Sequence, residues 1–438
     1  MLRINQGLYS GLLTSLLLVG LLLGGPVLAQ QAPRPDTLRP ELPVLSLDTI
    51  LLRIDERNPL LRPFGSRAAA VRAYAEGARS WMAPMVGVGT FMAPYPGQMI
   101  MEDRDKGYGM VSVEQDIPNP VKQRAKQVYQ QSKAALEEAG RGISLNQLRA
   151  DAKGLFFDWL VLTKRRGVVL ENRRILQTMK KLADIRYPYN QGSLGNIYKA
   201  DGRLAELENM LTMTDAEIAR RRIGLNTLMN RPKTDVFGID TTYRPVEPVP
   251  TIPSTDELAT RRSDVLQMDR QILSMQAGIE AQRTQRRPDF RVRFDHMQPF
   301  SGPSGMMPTQ FTLMGMVSIP IVPWASRMYK AEIKGMEADI QAMRYQREGM
   351  LNEAQGMVAQ MLTDLRSLRQ QLANYETRVL PTLRRNYDAQ LIAYEQNKGE
   401  LPVVIDAWET LNMTQMDYLT RLGDYYRMLV SYEKELEK

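Results

Sequence analysis

The side chains of this chain that could hold a soft metal ion are methionines and one histidine. The sequence has 27 methionines, a single histidine and no cysteine. Thioether sulfur is a soft ligand that suits Cu(I), and His296, Met297, Met306 and Met307 lie close together along the chain. These four residues are weak candidates for a copper or silver site. The alternative is that methionine serves as adaptable apolar filler, which is its ordinary use in proteins.

The same composition argues against an enzyme. A chain without cysteine has no thiolate nucleophile, iron–sulfur cluster, thiolate zinc site or disulfide framework. One histidine excludes multi-histidine metal sites and most histidine-based catalytic sets. We therefore predict a protein that is not an enzyme and needs no cofactor. The net charge of +8 is small for 438 residues and is spread along the chain, so nucleic acid is not an expected partner.

Residues 1–29 have the pattern of a signal peptide. Arg3 is followed by an apolar run over 12–23 and by Val27-Leu28-Ala29, a small-residue cleavage site. A run of about a dozen apolar residues is shorter than the roughly 20 that span a bilayer. We therefore expect export with cleavage rather than a membrane anchor.

The rest of the sequence resembles two copies of one unit. Two groups of matching residues recur about 206 or 207 positions apart. Met110-Val111-Ser112-Val113 returns as Met316-Val317-Ser318-Ile319, and Tyr187, Asn190, Gly192, Leu194 and Ala200 return as Tyr394, Asn397, Gly399, Leu401 and Ala407. We predict a first repeat over 30–230, a proline-rich linker over 231–254 and a second repeat over 255–438.

Each repeat is predicted to contain a pair of strands. The strands are expected at 84–92 and 109–117, and at 288–297 and 310–320. Apolar and charged residues alternate over 290–295, which is the period-2 pattern of a strand with two different faces. A sheet that separates lipid from water has this pattern, and so does a half-buried strand of a soluble sheet. Both interpretations stay open on the pattern alone.

Each strand pair is followed by a helix too long for a globular domain. At 1.5 Å per residue the segment 121–187, taken as one helix, extends about 100 Å. Its apolar stripe must therefore pack on other helices. The predicted segments are long helices over 121–187 and 324–394, tips over 188–196 and 395–403, and return helices to about 230 and 436. In the tips, Asn190 and Asn397 suit the left-handed backbone conformation that a tight reversal needs.

Four strands cannot enclose anything. An open four-stranded sheet in lipid would leave unpaired backbone groups, each costing several kcal/mol, and membrane barrels have at least about eight strands. If the strands meet lipid, several chains must therefore contribute four each. The sequence pattern requires an oligomer but does not choose between two and three copies.

At this point the chain resembles the TolC-like outer membrane factors, the exit ducts of bacterial tripartite efflux pumps and type I secretion. The resemblance covers about 45–438 and is carried by the duplicated unit, the segment from Tyr394 to Ala407, Asn58-Pro59, the Pro118 and Pro120 exit from the strand pair, and Pro323. It implies a membrane β-barrel joined to an α-helical coiled-coil barrel, with four strands per protomer in a homotrimer. It also implies outer membrane localisation, a periplasmic tunnel, and a periplasmic adaptor and an inner-membrane transporter as partners.

The resemblance assigns roles to the tips. Asp406 and Tyr394 become candidates for the tunnel gate or selectivity filter, since three Asp406 carboxylates would meet at the narrowest point and attract cations. The candidates for adaptor docking are Asn190, Gly192, Leu194, Asn397, Gly399 and Leu401. Asn397 stands where the family often has glycine, and Val403 where a second acidic residue is common. These departures put the family's usual charge-locked closure in doubt.

Other interpretations remain at this stage. An ordinary helix-start carboxylate would explain Asp406 equally well. A structural or adhesive surface coiled coil would have the long helices without barrel strands, and a periplasmic adaptor would have only one helical hairpin. For a duct, heavy metals such as copper or silver and drugs are both candidate cargoes.

Overall fold

The computed structural model describes residues 43–189, 193–247, 251–300 and 308–437. The predicted signal peptide at 1–29 lies outside these ranges. So do four predicted site residues: Asn190, Gly192, Met306 and Met307.

The elements follow the same order in the two halves of the chain. The first half contains β1 (Val44–Leu45), α1 (Leu47–Arg57), α2 (Arg62–Gly77), β2 (Met85–Phe91), β3 (Tyr108–Ile117), α3 (Pro120–Arg186) and α4 (Leu194–Leu228). The second contains β4 (Gly238–Ile239), α5 (Thr255–Arg261), α6 (Ser263–Arg283), β5 (Phe290–Pro299), β6 (Gln310–Val317), α7 (Pro323–Asn374), α8 (Leu380–Glu395) and α9 (Leu401–Glu435). Each half thus has helices, a strand pair, a long helical arm and a return helix.

Four strands form one antiparallel sheet in the order β2-β3-β5-β6. The central pair, β3 with β5, joins the two halves from Tyr108 opposite Pro299 to Ile117 opposite Phe290. The outer strands β2 and β6 each have one free edge within the described residues. The sheet is therefore continuous across the halves and open at both sides.

The two faces of this sheet differ in chemistry. On one face Arg291 bonds Asp116, with 2.6 Å between Nε and Oδ1, and reaches Glu114 at 2.8 Å. Arg293 bonds Asp295 on the same face at 2.8 Å. The opposite face is apolar and exposed along all four strands. Its exposed apolar residues include Val86, Val88, Val111, Val113, Phe290, Val292, Phe294, Phe311, Leu313 and Val317. The alternation predicted for 290–295 thus separates a charged face from an apolar one.

The helices next to the sheet keep the order of its strands. α2 packs on α3, α3 on α6 and α6 on α7. The sheet is tied to them at Asn119, whose side chain accepts a bond from Val121 N at the start of α3 and donates to Pro288 O at 3.0 Å. Asp289 adds an ion pair to Lys122 at 2.6 Å. Side-chain bonds therefore fix how the strands continue into the helices.

The two long arms differ. α3 is continuous over 67 residues, about 100 Å of helix. The second arm, predicted as one helix over 324–394, is divided by a π turn at Tyr375–Val379 between α7 and α8. Pro381 explains the division, because its ring clashes with the carbonyl four residues earlier and it has no N–H to donate. None of the helices within the described ranges combines the length and the apolar character needed to cross a bilayer.

The central core lies where both halves meet. β1 pairs in parallel with β4 and brings the linker onto the helices. The aromatic rings of Trp159 and Phe237 lie 5.3 Å apart, and those of Phe157 and Tyr426 stack at 4.8 Å. Such pairs add about 0.5–1.5 kcal/mol beyond the area that they bury. This packing joins α3, α9 and the linker midway along the molecule.

A second core fills the half of the helical region that leads to the reversals. Trp408 of α9 donates from Nε1 to Asn172 Oδ1 of α3 at 2.7 Å. Asn172 Nδ2 donates in turn to Val168 O at 2.9 Å and to Gln415 Oε1 at 3.1 Å. Both Asn172 and Trp408 are buried, so this network fixes the register of α9 on α3.

Replacing Asn172 by leucine should lower the free energy of unfolding by about 1–3 kcal/mol, because the Trp408 donor loses its buried acceptor. Heat unfolding in detergent, followed by circular dichroism, measures the change. Asn386→Leu at an exposed position of α8 is the control and should stay within about 0.5 kcal/mol of the parent. Equal stability of the two variants would contradict the assignment.

Candidate functional site

The reversal between α8 and α9 is built on Asn397. Its φ of 59° is left-handed, as the sequence predicted for this residue. Lys398 N donates to Ala393 O at 2.8 Å and Asn397 N to Tyr394 O at 3.0 Å, which is the Schellman pattern that ends a helix. An asparagine can adopt this backbone conformation at lower cost than most residues. The turn is therefore specified by its own sequence.

Gly399 and Pro402 complete the turn into α9. A Cβ on Gly399 would lie 3.3 Å from Tyr394 N and 3.4 Å from the Ala393 carbonyl carbon. The chain thus doubles back closely over the end of α8, and a side chain at 399 would push the two apart. Pro402 occupies the first turn of α9, where its missing N–H has no helical partner to lose.

Tyr394 is held beneath Arg186, a residue that sequence reasoning did not single out. The Arg186 guanidinium lies 4.2 Å from the Tyr394 ring centroid. It also donates from Nη1 to Tyr394 O at 2.7 Å and from Nη2 to Glu395 O at 3.0 Å. A cation bonded to the last carbonyls of a helix is favourable. Arg186 therefore joins the end of α3 to the end of α8, and Tyr394 itself is only 3% exposed.

Asp406 has a cationic partner, Lys199. Lys199 Nζ of α4 lies 3.1 Å from Asp406 Oδ1 of α9, and the Asp406 side chain remains 68% exposed. The two positions are 207 residues apart, which is the offset between matching residues of the two halves. Extending the sequence match by one residue from Ala200 and Ala407 would have paired them. Asp406 is thus an exposed carboxylate whose charge is partly balanced within its own chain.

Further ion pairs flank Asp406 on α4. Arg203 bonds Glu409 at 2.8 Å and Glu206 at 2.7 Å, and these hydrogen bonds raise the pKa of Arg203 above its usual value. Lys180 of α3 bonds Asp201 at 2.5 Å, and its pKa is likewise raised, chiefly by that bond. Exposed pairs contribute little stability, about 0–1 kcal/mol each. Their main effect is on the distribution of charge over the surface around Asp406.

The predicted docking residues fall into two groups. Asn397 and Leu194 are exposed, whereas Leu401 is only 3% exposed and packs in the core with Val404 and Ile405. A cleft of about 290 Å³ opens between the two reversals, lined in part by Ser193, Glu400 and Pro402. Leu401 therefore holds the reversal from inside, and the accessible surface is formed by its neighbours.

The two metal candidates within the described residues are not brought together. His296 and Met297 are adjacent in β5 and point to opposite faces, His296 among the apolar residues and Met297, buried, on the charged side. Strand alternation, visible in the sequence, separates them. Met297 instead stands opposite Met110 of β3. Within the described ranges no three His, Asp or Glu side chains are grouped as a metal site would require.

Asn397→Ala should destabilise the reversal by about 1–2 kcal/mol, because alanine tolerates the left-handed conformation poorly. Asn397→Gly should leave it unchanged or more stable. Hydrogen exchange of the Lys398 amide, which bonds Ala393 O, reports the difference, with about tenfold faster exchange expected for the alanine variant. Gln396→Ala, at a residue with φ of −81°, serves as control. Faster exchange in the glycine variant would contradict a conformational role.

Comparisons with known proteins agree on the architecture. No protein-family model matches the chain, and no curated protein matches its sequence. Solved structures do match. The outer-membrane channel OprN is 17% identical with a TM-score of 0.69, over 89% of both chains. CusC, whose structures concern transmembrane channel formation, is 15% identical with a TM-score of 0.70, over 89% of this chain and 91% of its own.

A third match is a channel solved in its open state. The open state of the Neisseria gonorrhoeae MtrE outer membrane channel is 16% identical with a TM-score of 0.66, over 89% of this chain and 88% of that one. At these identities the likeness concerns the fold. The chain has the fold of these outer-membrane channels, as the resemblance predicted.

Proposed function

We propose that this protein is the outer membrane exit duct of a tripartite efflux or type I secretion system. The observation that carries the proposal is the sheet with one exposed apolar face and one charged face, set on helices about 100 Å long. A soluble protein would cover so large an apolar face, whereas a membrane β-sheet turns it toward lipid. The fold likeness to outer-membrane channels over 89% of the chain supports the same role.

The open edges of the sheet call for further copies of the chain. Among the described residues, β2 and β6 each have an unpaired edge, and unpaired backbone groups in hydrocarbon cost several kcal/mol each. Pairing β6 of one copy with β2 of the next removes both edges when the ring closes. We propose a homotrimer, as the resemblance implies, which gives a barrel of twelve strands with the charged face inside. The two halves then act as structural repeats within each protomer.

The long helices would continue the barrel as a periplasmic tunnel. α3 with α4, and α7–α8 with α9, form the two hairpins of each copy. Their reversals lie at the far end from the sheet and would dock a periplasmic adaptor that links the duct to an inner-membrane transporter. The exposed residues Leu194 and Asn397 and the partly exposed Gly399 are the docking candidates of the described part. Asn190 and Gly192 belong to the same tip as Leu194 by sequence.

The gate is proposed to rest on Asp406 and Tyr394 in different ways. Three exposed Asp406 carboxylates would line the narrow end, each offset by its own Lys199 at 3.1 Å. Tyr394 would act from the buried side of the reversal, because its ring packs against the Arg186 guanidinium and holds Arg186 at the end of α8. The duct itself would be passive, with neither nucleotide hydrolysis nor a cofactor.

The cargo is proposed to be a heavy metal ion or a drug. Met110 and Met297 are paired on the charged side of the sheet and Met297 is buried, so Met110 is the thioether of this pair that a duct for copper or silver would present to its cargo. His296 lies on the other face and has no part in this. Most of the selection would occur in the pump and not in the duct.

Membrane fractionation tests the role. The mature chain should sediment with the outer membrane, need detergent for extraction and run as a heat-dissociable trimer. In planar bilayers it should form ion-conducting channels. A water-soluble monomer would refute the proposal, and a detergent-free fibrous or adhesive assembly would favour the surface coiled coil instead.

Neutralising either member of the Asp406–Lys199 pair should change ion selectivity, and the two variants should act in opposite directions. Asp406→Asn should lower the preference for cations over anions, and Lys199→Gln should raise it, since the carboxylates then lose their partners. The reversal potential under a tenfold KCl gradient measures both effects.

Asp215→Asn is the matched control, because Asp215 is a comparably exposed carboxylate bonded to Arg166 at 2.7 Å away from the reversals. It should leave the reversal potential unchanged. If Asp406→Asn behaves like Asp215→Asn, Asp406 is an ordinary carboxylate near a helix start and not part of the selectivity filter.

A further inference from the structure

We propose that a basic groove on the first turns of α7 binds the phosphate headgroup of an anionic phospholipid. This inference rests on the proposed function, because it takes the apolar face of the sheet to meet a membrane. It goes further by assigning a ligand class and a binding site to residues that the gate and the docking surface do not use.

The groove combines cations with an apolar upper end. It has a volume of about 640 Å³ and is lined by Ile321, Pro323, Arg327, Lys330 and Lys334, among others. The three basic residues are spaced by three and four positions, which places them on one side of α7. Ile321 and Pro323 lie where the chain leaves β6. The groove therefore runs from an apolar rim into a row of positive charges.

These charges have no anionic partner in the described part of the chain. None of Arg327, Lys330 and Lys334 forms an ion pair there, whereas Arg283 and Arg347 do. Glu337, the acidic residue that lines the far end, lies 3.4 Å from Arg283. The groove thus presents three uncompensated cations, an arrangement that attracts phosphate.

The position of the groove matches the headgroup layer. Ile319 and Ile321 continue the exposed apolar surface past the end of β6. Trp324, at the start of α7, is 79% exposed. Exposed tryptophan at the end of an apolar band is typical of a membrane–water interface. From Arg327 to Lys334 the helix rises about 10 Å, comparable with the roughly 5–8 Å of one headgroup layer once the flexible side chains are included.

A neighbouring copy would not supply the missing anions. Because the helices follow the strand order, pairing β6 with the next β2 brings α2 of the next copy beside α7. That helix carries Arg62, Arg67 and Arg72 against the single carboxylate Glu76. It would add positive charge to the seam. The phosphates of anionic lipid are then the anions available at this level, and each basic side chain near such a surface adds to the attraction.

The test titrates phosphatidylglycerol or phosphatidylcholine into the detergent-solubilised oligomer and counts bound lipid by native mass spectrometry. The parent protein should prefer phosphatidylglycerol by about tenfold. The triple variant Arg327→Gln, Lys330→Gln, Lys334→Gln should lose this preference. The control Arg366→Gln, Arg378→Gln, Arg385→Gln removes three exposed arginines without ion pairs from the same helical arm and should keep it.

Three results would overturn the inference. The first is an equal preference in the parent and the groove variant. The second is displacement of phosphatidylglycerol by millimolar inorganic phosphate, which would indicate a site for free anions. The third is loss of the oligomer in the groove variant alone, which would make the groove a subunit contact. Absence of conductance and of outer membrane fractionation in the parent would instead refute the proposed function, so the two failures are distinguishable.

Discussion

The pairing of β3 with β5 is the constraint on which the rest of the architecture depends. Ten residues of each strand are in register across the junction of the two halves, and each half carries its own helices with it. Because Asn119 and Asp289 tie the strand ends to α3, the strand order is transmitted to the helix order. A shift of one residue in this register would put the charged side of one half on the apolar side of the other. The same pairing therefore decides which side faces solvent and which helices become neighbours.

Much of the fold follows from residue periodicity. The strands were recognisable because charged and apolar residues alternate, and the long helices because proline is absent over 121–187 and over 324–380. Asn397 was identifiable as a left-handed turn residue from its type and its place between two helices. The likeness to channels only 15–17% identical has the same origin, since a repeating pattern of apolar positions can be kept while most residues change.

Other features depend on contacts that no local pattern reveals. Arg186 bonds residues more than 200 positions away, and its sequence neighbourhood does not distinguish it from other helix-end arginines. Leu401 matches Leu194 in the sequence, yet Leu401 is buried and Leu194 exposed, because the first turns of α9 and α4 pack differently. Pro381 was visible, but whether it would end the helix or only widen one turn depends on the helices around it. The role of Lys199 was partly predictable from the sequence, because extending the match between the two halves by one residue would have placed it opposite Asp406.

The π turn at Tyr375–Val379 makes the two arms mechanically unequal. The 67-residue α3 has a continuous series of backbone hydrogen bonds. The other arm is interrupted by the π turn, and only α8 lies beyond this joint. The segment beyond the joint, α8, is 16 residues long, a lever of about 24 Å. Bending of about 10° at the joint would carry its end through about 4 Å. Flexing of the second hairpin can thus occur far from the sheet, while the first hairpin serves as a rigid strut.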